Sequence, residues 1–226
     1  MIHPETAERL ARYIERCSST AYAEAQSEIH TNLAREAWER CKRVIGLEPP
    51  IKEIIPGLKN TILWDIGSGS GFAKEMFVAD GLMPVGLSII ESECLDYYAG
   101  CGDMHNISLQ ISEHDPDRLV VRKPGAPIVW ARHILEHSPI PGFLLQELHD
   151  NIILPRGWLY VEVPGSYEEG SRGGHEFNSN HYSVFGKTMW RSLIEKAGFE
   201  VVESFDMKFD TKAGAEIYLG FICRKS

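Results

Sequence analysis

From residue 6 to residue 47 the apolar side chains return every three or four positions. Leu10, Ile14 and Cys17 form one set, and Ile29, Leu33, Ala37, Cys41 and Val44 a second, with charged residues between them. This spacing predicts two helices, interrupted near Ser18 and Ser19. Glu48-Pro49-Pro50 should end the second, because proline lacks a backbone donor and restricts the residue before it. After a linker of about ten residues the period changes. Short apolar runs at 61–66, 84–90, 107–111, 126–131 and 157–163 alternate with helical spacing, as at Leu144, Leu148 and Ile152. Alternation of this kind predicts an α/β domain with a doubly wound, mostly parallel sheet. A helix carrying Trp190, Leu193, Ile194 and Ala197, closed by Gly198, precedes two adjacent runs at 199–209 and 215–223. Thr211-Lys212-Ala213-Gly214 joins those runs, which predicts a terminal antiparallel hairpin.

The first strand carries the strongest chemical signal. Residues 61–71 read Thr-Ile-Leu-Trp-Asp-Ile-Gly-Ser-Gly-Ser-Gly, a buried strand running into a glycine turn, and helical spacing resumes at Phe72. A strand, a glycine turn and a helix make a cofactor site. A dinucleotide site would show G-x-G-x-x-G with an acidic residue about 20 positions further on. Here the spacing is G-x-G-x-G, and Asp65 precedes it. A carboxylate at that point opposes a pyrophosphate and favours a ligand bearing an ammonium group, such as S-adenosylmethionine.

Bulk properties narrow the class. At 226 residues the chain can bury a substantial core. Its 43% hydrophobic and 24% charged residues fit a folded globule. With 23 Lys and Arg against 32 Asp and Glu, the formal charge is -9, unfavourable for a polyphosphate partner. Five scattered cysteines without C-x-x-C spacing argue against a disulfide framework or a zinc knuckle. No stretch has the length of a membrane span, and the first sixteen residues lack an apolar core. The expectation is a cytoplasmic protein with no nucleic-acid or membrane partner.

On its first motif, Asp65-Ile66-Gly67-Ser68-Gly69-Ser70-Gly71, and on the order of its parts, the chain resembles the class I S-adenosylmethionine-dependent methyltransferases, of the small-molecule type. The resemblance covers residues 58–226. It implies a seven-stranded sheet whose last strand is antiparallel, and leaves residues 1–57 as a helical extension. That extension could serve as a lid with Tyr13 or Tyr22, a cover for a sheet edge, or the surface of a homodimer. S-adenosylmethionine is the implied cofactor, with Asp65, Gly67, Ser68, Gly69 and Gly71 at its methionine end. The position after the second strand, where the family holds the ribose with Asp or Glu, is Ser88, a weaker grip. Glu91 lies three residues on. Asp115, with Leu119 following at the family's D-x-x-x-L spacing, corresponds to the adenine position, and Asp117 is the rival.

After the fourth strand stands Trp130-Ala131-Arg132-His133-Ile134-Leu135-Glu136-His137-Ser138-Pro139. It resembles the stretch that this family places beneath the transferring methyl, which puts Arg132 and His133 at the cofactor. The same letters contain H-x-x-E-H, a zinc motif when it lies on a helix. Pro139 and the strand just before His133 oppose such a helix, and no metal is expected. The long connection 165–186 contains His175, Glu176, Asn178, Asn180, His181 and Tyr182, and should shape the pocket of the methyl acceptor. His137, His181 and His175 are the candidate general bases. The competing reading is in-line displacement by proximity alone, with no base. A metal held by His175, Glu176 and His181 is allowed by residue type, without diagnostic spacing. The chain lacks the Asn- or Asp-Pro-Pro-Tyr and Pro-Cys motifs of nucleic-acid methyltransferases, so the expected acceptor is a small molecule. The alternatives are a nicotinamide-dependent oxidoreductase and a non-catalytic binding protein, the latter suggested by Ser88 and Pro127.

Overall fold

The computed structural model describes residues 29–47, 61–68, 73–88, 100–101, 125–172, 174–211 and 214–226, together with Glu8 and Ala11. The strand expected at 107–111, the helix through Leu10 to Cys17, and Gly69, Gly71, Glu91, Asp115 and Asp117 lie outside the described residues, as do Tyr13 and Tyr22.

The strands are β1 (Thr61–Ile66), β2 (Leu82–Ser88), β3 (Gly100–Cys101), β4 (Ala126–Arg132), β5 (Ile153–Pro164), β6 (Phe199–Thr211) and β7 (Gly214–Lys225). They form one mixed sheet in the order β3-β2-β1-β4-β5-β7-β6. Six strands carry it, and β3 is only a two-residue pairing with Leu87 and Ser88. The pairs from β2 through β5 are parallel, whereas β7 runs antiparallel to both β5 and β6. The predicted terminal hairpin is therefore present, with β7 inserted between β5 and β6.

Among the described residues four α-helices flank the two faces: α1 (Ala34–Ile45), α2 (Lys74–Ala79), α3 (Pro141–Glu147) and α4 (Lys187–Lys196). Alternation along each strand sends side chains into two separate cores. In β4, Val129 and Ala131 face Leu144, Leu148, Trp190 and Ile194, while Ile128 and Trp130 face Trp38, Phe77 and Tyr160. The second core is aromatic. Trp38, fully buried, meets the edges of Phe77 at 5.0 Å and Trp130 at 5.9 Å, and Trp130 stacks on Tyr160 at 4.1 Å. Gly46, not the proline pair, ends α1: at φ 76° it takes the left-handed conformation and points its N–H back to the last turn. No described helix is long and apolar enough to cross a membrane.

Parallel register brings several strand ends to one edge. Ile66 of β1 lies opposite Ala131 of β4, which lies opposite Val161 of β5. The residues that follow, Gly67, Arg132 and Glu162, define the crevice where open α/β sheets bind ligands.

Candidate active site

On the β1 side the site is built from small residues. Asp65, next to last in β1, is buried; Gly67 turns the chain at φ 75°. A Cβ at Gly67 would stand 2.6 Å from Ile134 Cδ1, so only glycine lets the two loops approach so closely. Ser68 is buried, and its hydroxyl has no hydrogen-bond partner in the chain. Ser88 ends β2 at the same edge, with its side chain outside the described set.

The β4 and β5 side is built from ionisable groups. Arg132 Nε donates to Glu162 Oε1 at 2.7 Å, the Tyr160 hydroxyl donates to Glu162 Oε2 at 2.6 Å, and His133 Nε2 makes an ion-pair contact with Glu162 Oε1 at 2.8 Å. Glu162 has no exposed surface. Burial by itself would raise its pKa, yet the Arg132 charge, His133 and the Tyr160 hydroxyl outweigh it and hold the carboxyl down at about 2. Burial, joined by the neighbouring Glu162 charge, pushes the Tyr160 hydroxyl well up.

His133 sits where β4 stops, at φ 54°, a region that non-glycine residues seldom adopt. Its Nδ1 lies 3.4 Å from Glu136 Oε1, and its ring meets the edge of Tyr218 at 4.7 Å. Burial opposes its charge, but Glu136 and Glu162 more than compensate and raise its pKa. A single 3-10 turn, Leu135–His137, follows, so no continuous helix carries both His133 and His137.

The connection 165–186 folds back over this turn. Tyr182 N and Ser183 N donate to the Glu136 carbonyl at 2.8 and 3.0 Å, and the Ser183 hydroxyl donates to the Ser138 carbonyl at 2.9 Å. These bonds bring three histidines together. The His137 and His181 rings lie 4.9 Å apart, and His175, on the short turn His175–Phe177, stacks on His181 at 5.6 Å. His137 Nδ1 lies 2.9 Å from the Asn180 carbonyl, and Asn178 Nδ2 lies 3.1 Å from His181 Nε2. Burial pushes the His181 pKa down, which keeps that ring neutral near pH 7. The side chains of Glu136, His137 and His181 present ligand atoms all within 4.8 Å of one another, a grouping of a kind not expected from the sequence. Glu176 instead turns to the Tyr167 backbone N–H at 2.6 Å. Sequence reasoning passed over Glu162, which sits between Val161 and Val163 like any strand residue. Arg132, expected at the cofactor, is turned to Glu162 and buried.

A sheet of this order, with a glycine turn and a cluster of histidines at one edge, defines a ligand crevice of the open α/β type. A family model described as a methyltransferase domain matches residues 7–204. The chain belongs to that family and is a class I S-adenosylmethionine-dependent methyltransferase. No curated protein matches the sequence. Among solved structures, the 1,6-didemethyltoxoflavin-N1-methyltransferase of Burkholderia thailandensis, with bound 1,6-didemethyltoxoflavin and S-adenosylhomocysteine, has a TM-score of 0.59 and 17% identity, over 100% of this chain and 92% of its own. A SAM-dependent methyltransferase from Archaeoglobus fulgidus gives 0.57 and 15%, over 84% and 94%. The [4+2]-cyclase SpnF gives 0.58 and 14%, over 83% and 80%. At such identities these structures share a fold, and a cyclase among them shows that the fold alone does not fix the reaction.

Proposed function

We infer that the chain moves the methyl group of S-adenosylmethionine onto a small molecule held between the ends of β4 and β5 and the segment 165–186. The observation that carries this reading is the pinning of that segment to the turn after β4, where Tyr182 and Ser183 bond the Glu136 carbonyl and the Asn180 carbonyl meets His137. A segment fixed beside the crevice suits the walls of a pocket for a small acceptor. The N1-methyltransferase of Burkholderia thailandensis, solved with 1,6-didemethyltoxoflavin bound, supports the same reading.

The residues present fit the donor. Ser68, with a buried hydroxyl lacking a partner, is a ready hydrogen-bond donor for a carboxylate, and Asp65 lies beneath the same turn for an ammonium. Gly67, Gly69 and Gly71 would let the backbone approach, Ser88 would face the ribose, and Asp115 the adenine. Arg132 and His133 would border the cofactor from β4. S-adenosylmethionine supplies a methyl carbon already activated by its sulfonium. The protein's part is to align the acceptor and to take its proton, with His137, His175 and His181 as the candidate bases.

Residues 1–57 read best as a helical cover of the 58–226 domain, supported by Trp38 of α1 lying against Phe77 and Trp130. We read the sheet as seven-stranded, with β3 as its edge strand. Thiols at Cys41 and Cys223, buried and unbridged, support residence in the reducing cytoplasm.

The test is to incubate the protein and S-adenosylmethionine carrying a labelled methyl with fractionated cell extract. Label in low-mass compounds is expected; label confined to RNA, DNA or protein would overturn the reading. Calorimetric titration with S-adenosylhomocysteine should show binding, weakened about tenfold in Ser68→Ala, the equivalent of ~1.4 kcal/mol for a lost buried hydrogen bond.

A further inference from the structure

We propose that Glu136, His137 and His181 form a binding site for a divalent first-row transition-metal ion, with open coordination positions that receive an oxygen of the methyl acceptor. The second half of this proposal rests on the small-molecule reading above; the first does not. The H-x-x-E-H letters do not form the helical zinc motif, because only a 3-10 turn follows His133. The structure uses them differently: it drops His133 and recruits His181 from a different segment, 44 positions beyond His137.

Glu136 is the strongest argument. Its side chain is 1% exposed, and its Oε2 is buried with no hydrogen-bond partner. A buried carboxylate oxygen without a partner carries a desolvation penalty that a cation would relieve. The ligand atoms of His137 and His181 lie within 4.8 Å of that carboxylate and of each other. A metal at the centre of such a group needs only small contraction to reach ordinary ligand distances of about 2.0–2.2 Å.

The surroundings are those of ligating histidines. Metal-bound imidazoles are held through their other ring nitrogen by a carbonyl, carboxylate or similar group. The Asn180 carbonyl meets His137 Nδ1 at 2.9 Å, which leaves Nε2 for a ligand. The Asn178 amide, its Oδ1 accepting from the Asn180 N–H, donates Nδ2–H to His181 Nε2 at 3.1 Å, and the opposite nitrogen, Nδ1, is buried without a partner; ligation through Nδ1 takes a half-turn of that amide, so that Oδ1 accepts from Nε2–H. His133 Nδ1 stands behind Glu136 Oε1 at 3.4 Å. Two imidazoles and one carboxylate suit Zn²⁺, Mn²⁺, Fe²⁺ or Co²⁺ better than Mg²⁺, which prefers oxygen donors. Three protein donors leave at least one position open, the arrangement of catalytic rather than structural sites. On the small-molecule reading an acceptor oxygen takes that open position, so the acceptor class it selects is one with a hydroxyl or enol oxygen. His175 stays outside the donor set, stacked on His181, and with the metal bound it is the member of the trio left to act as the base.

The experiment needs no turnover. Protein stripped with a chelator is titrated with Co²⁺, following the visible d–d absorption, and with Zn²⁺ by calorimetry. One ion per chain is expected. His137→Ala and His181→Ala, both at partly exposed positions, should weaken binding by about 100-fold or more, and Glu136→Gln similarly. His149→Ala, at a histidine paired with Asp150, should leave it unchanged. Absence of a Co²⁺ band, a band that survives His137→Ala and His181→Ala, or equal weakening by His149→Ala would overturn the site. Acetohydroxamate, a small oxygen chelator, should shift the Co²⁺ spectrum; an unchanged spectrum would overturn the acceptor half. Ion binding can fail while the labelling assay succeeds, and the converse, so the two readings fall separately.

Discussion

Two carboxylates stand at the end of the β4–β5 pair, both buried, and they are treated in opposite ways. Glu162, in the strand, is surrounded by Arg132, Tyr160 and His133, with both oxygens engaged. Glu136, in the turn, shares one oxygen with His133 and leaves the other without a partner. Burial of charge is tolerated where compensation is complete, and a compensated carboxylate makes a rigid frame. An uncompensated one at a strand end, beside two histidines, is what a ligand site retains. On the reading proposed above, the strand network holds the site in place and the turn cluster meets the ligand.

The largest expected effect breaks the compensated member. Glu162→Gln leaves the Arg132 guanidinium buried beside a neutral amide, and should cost roughly 3–5 kcal/mol. Urea unfolding of variant and parent would measure it. A loss below 1 kcal/mol would mean that the two carboxylates are not different in kind.

The acid limb of stability tests the same pairing without mutation. The carboxyl of Glu162 titrates near 2 in the folded state against an ordinary value of 4.5. Its contribution is therefore complete above pH about 4.5 and is lost as pH falls through 2. At 1.36 kcal/mol per pH unit this amounts to about 3 kcal/mol. Unfolding free energies measured between pH 6 and pH 2 should fall by that amount more in the parent than in Glu162→Gln.

A third change presses on the ground between the two. Ile134 lies between His133 and Glu136, and it fills the space a Cβ at Gly67 would need. Gly67→Ala must displace the Ile134 tip and hold alanine at positive φ, for roughly 1–2 kcal/mol. Affinity for S-adenosylhomocysteine should drop about tenfold, the equivalent of ~1.4 kcal/mol, by calorimetry. The acid limb should keep its slope, since the strand network does not touch Gly67. A changed slope would show that turn and strands move as one.

Much of this frame was legible in the residues, and the exceptions share a cause. Periodicity placed β1, β4, α4 and the terminal hairpin because their buried faces repeat every two or every 3.6 residues. The end of α1 was misplaced by two residues, because Pro49-Pro50 drew attention from Gly46, where the left-handed cap forms. Local pattern also separated the glycine turn of a dinucleotide site from this one. What it could not supply was pairing across the sheet. Glu162 reads as one polar residue in a strand until register sets it opposite Arg132. His181 reads as one loop histidine among three until Tyr182 and Ser183 hydrogen-bond to the Glu136 carbonyl. Contacts between distant segments carry no period.

The smallest expected effect is the most discriminating. Glu136→Gln keeps the shape of the side chain and leaves untouched the Glu136 carbonyl that anchors Tyr182 and Ser183. It gives up the contact with His133, but it also removes a buried charge with one oxygen unpartnered. These terms oppose each other, so in metal-free protein the net change should stay within about 1 kcal/mol of zero. Urea unfolding in the presence of a chelator is the measurement. A loss of about 3 kcal/mol, matching Glu162→Gln, would place Glu136 in the structural frame and remove the contrast between the two carboxylates. A near-zero change, set against the larger cost at Glu162, identifies Glu136 as a group kept for what it binds, since nothing in the fold's stability would then depend on its charge.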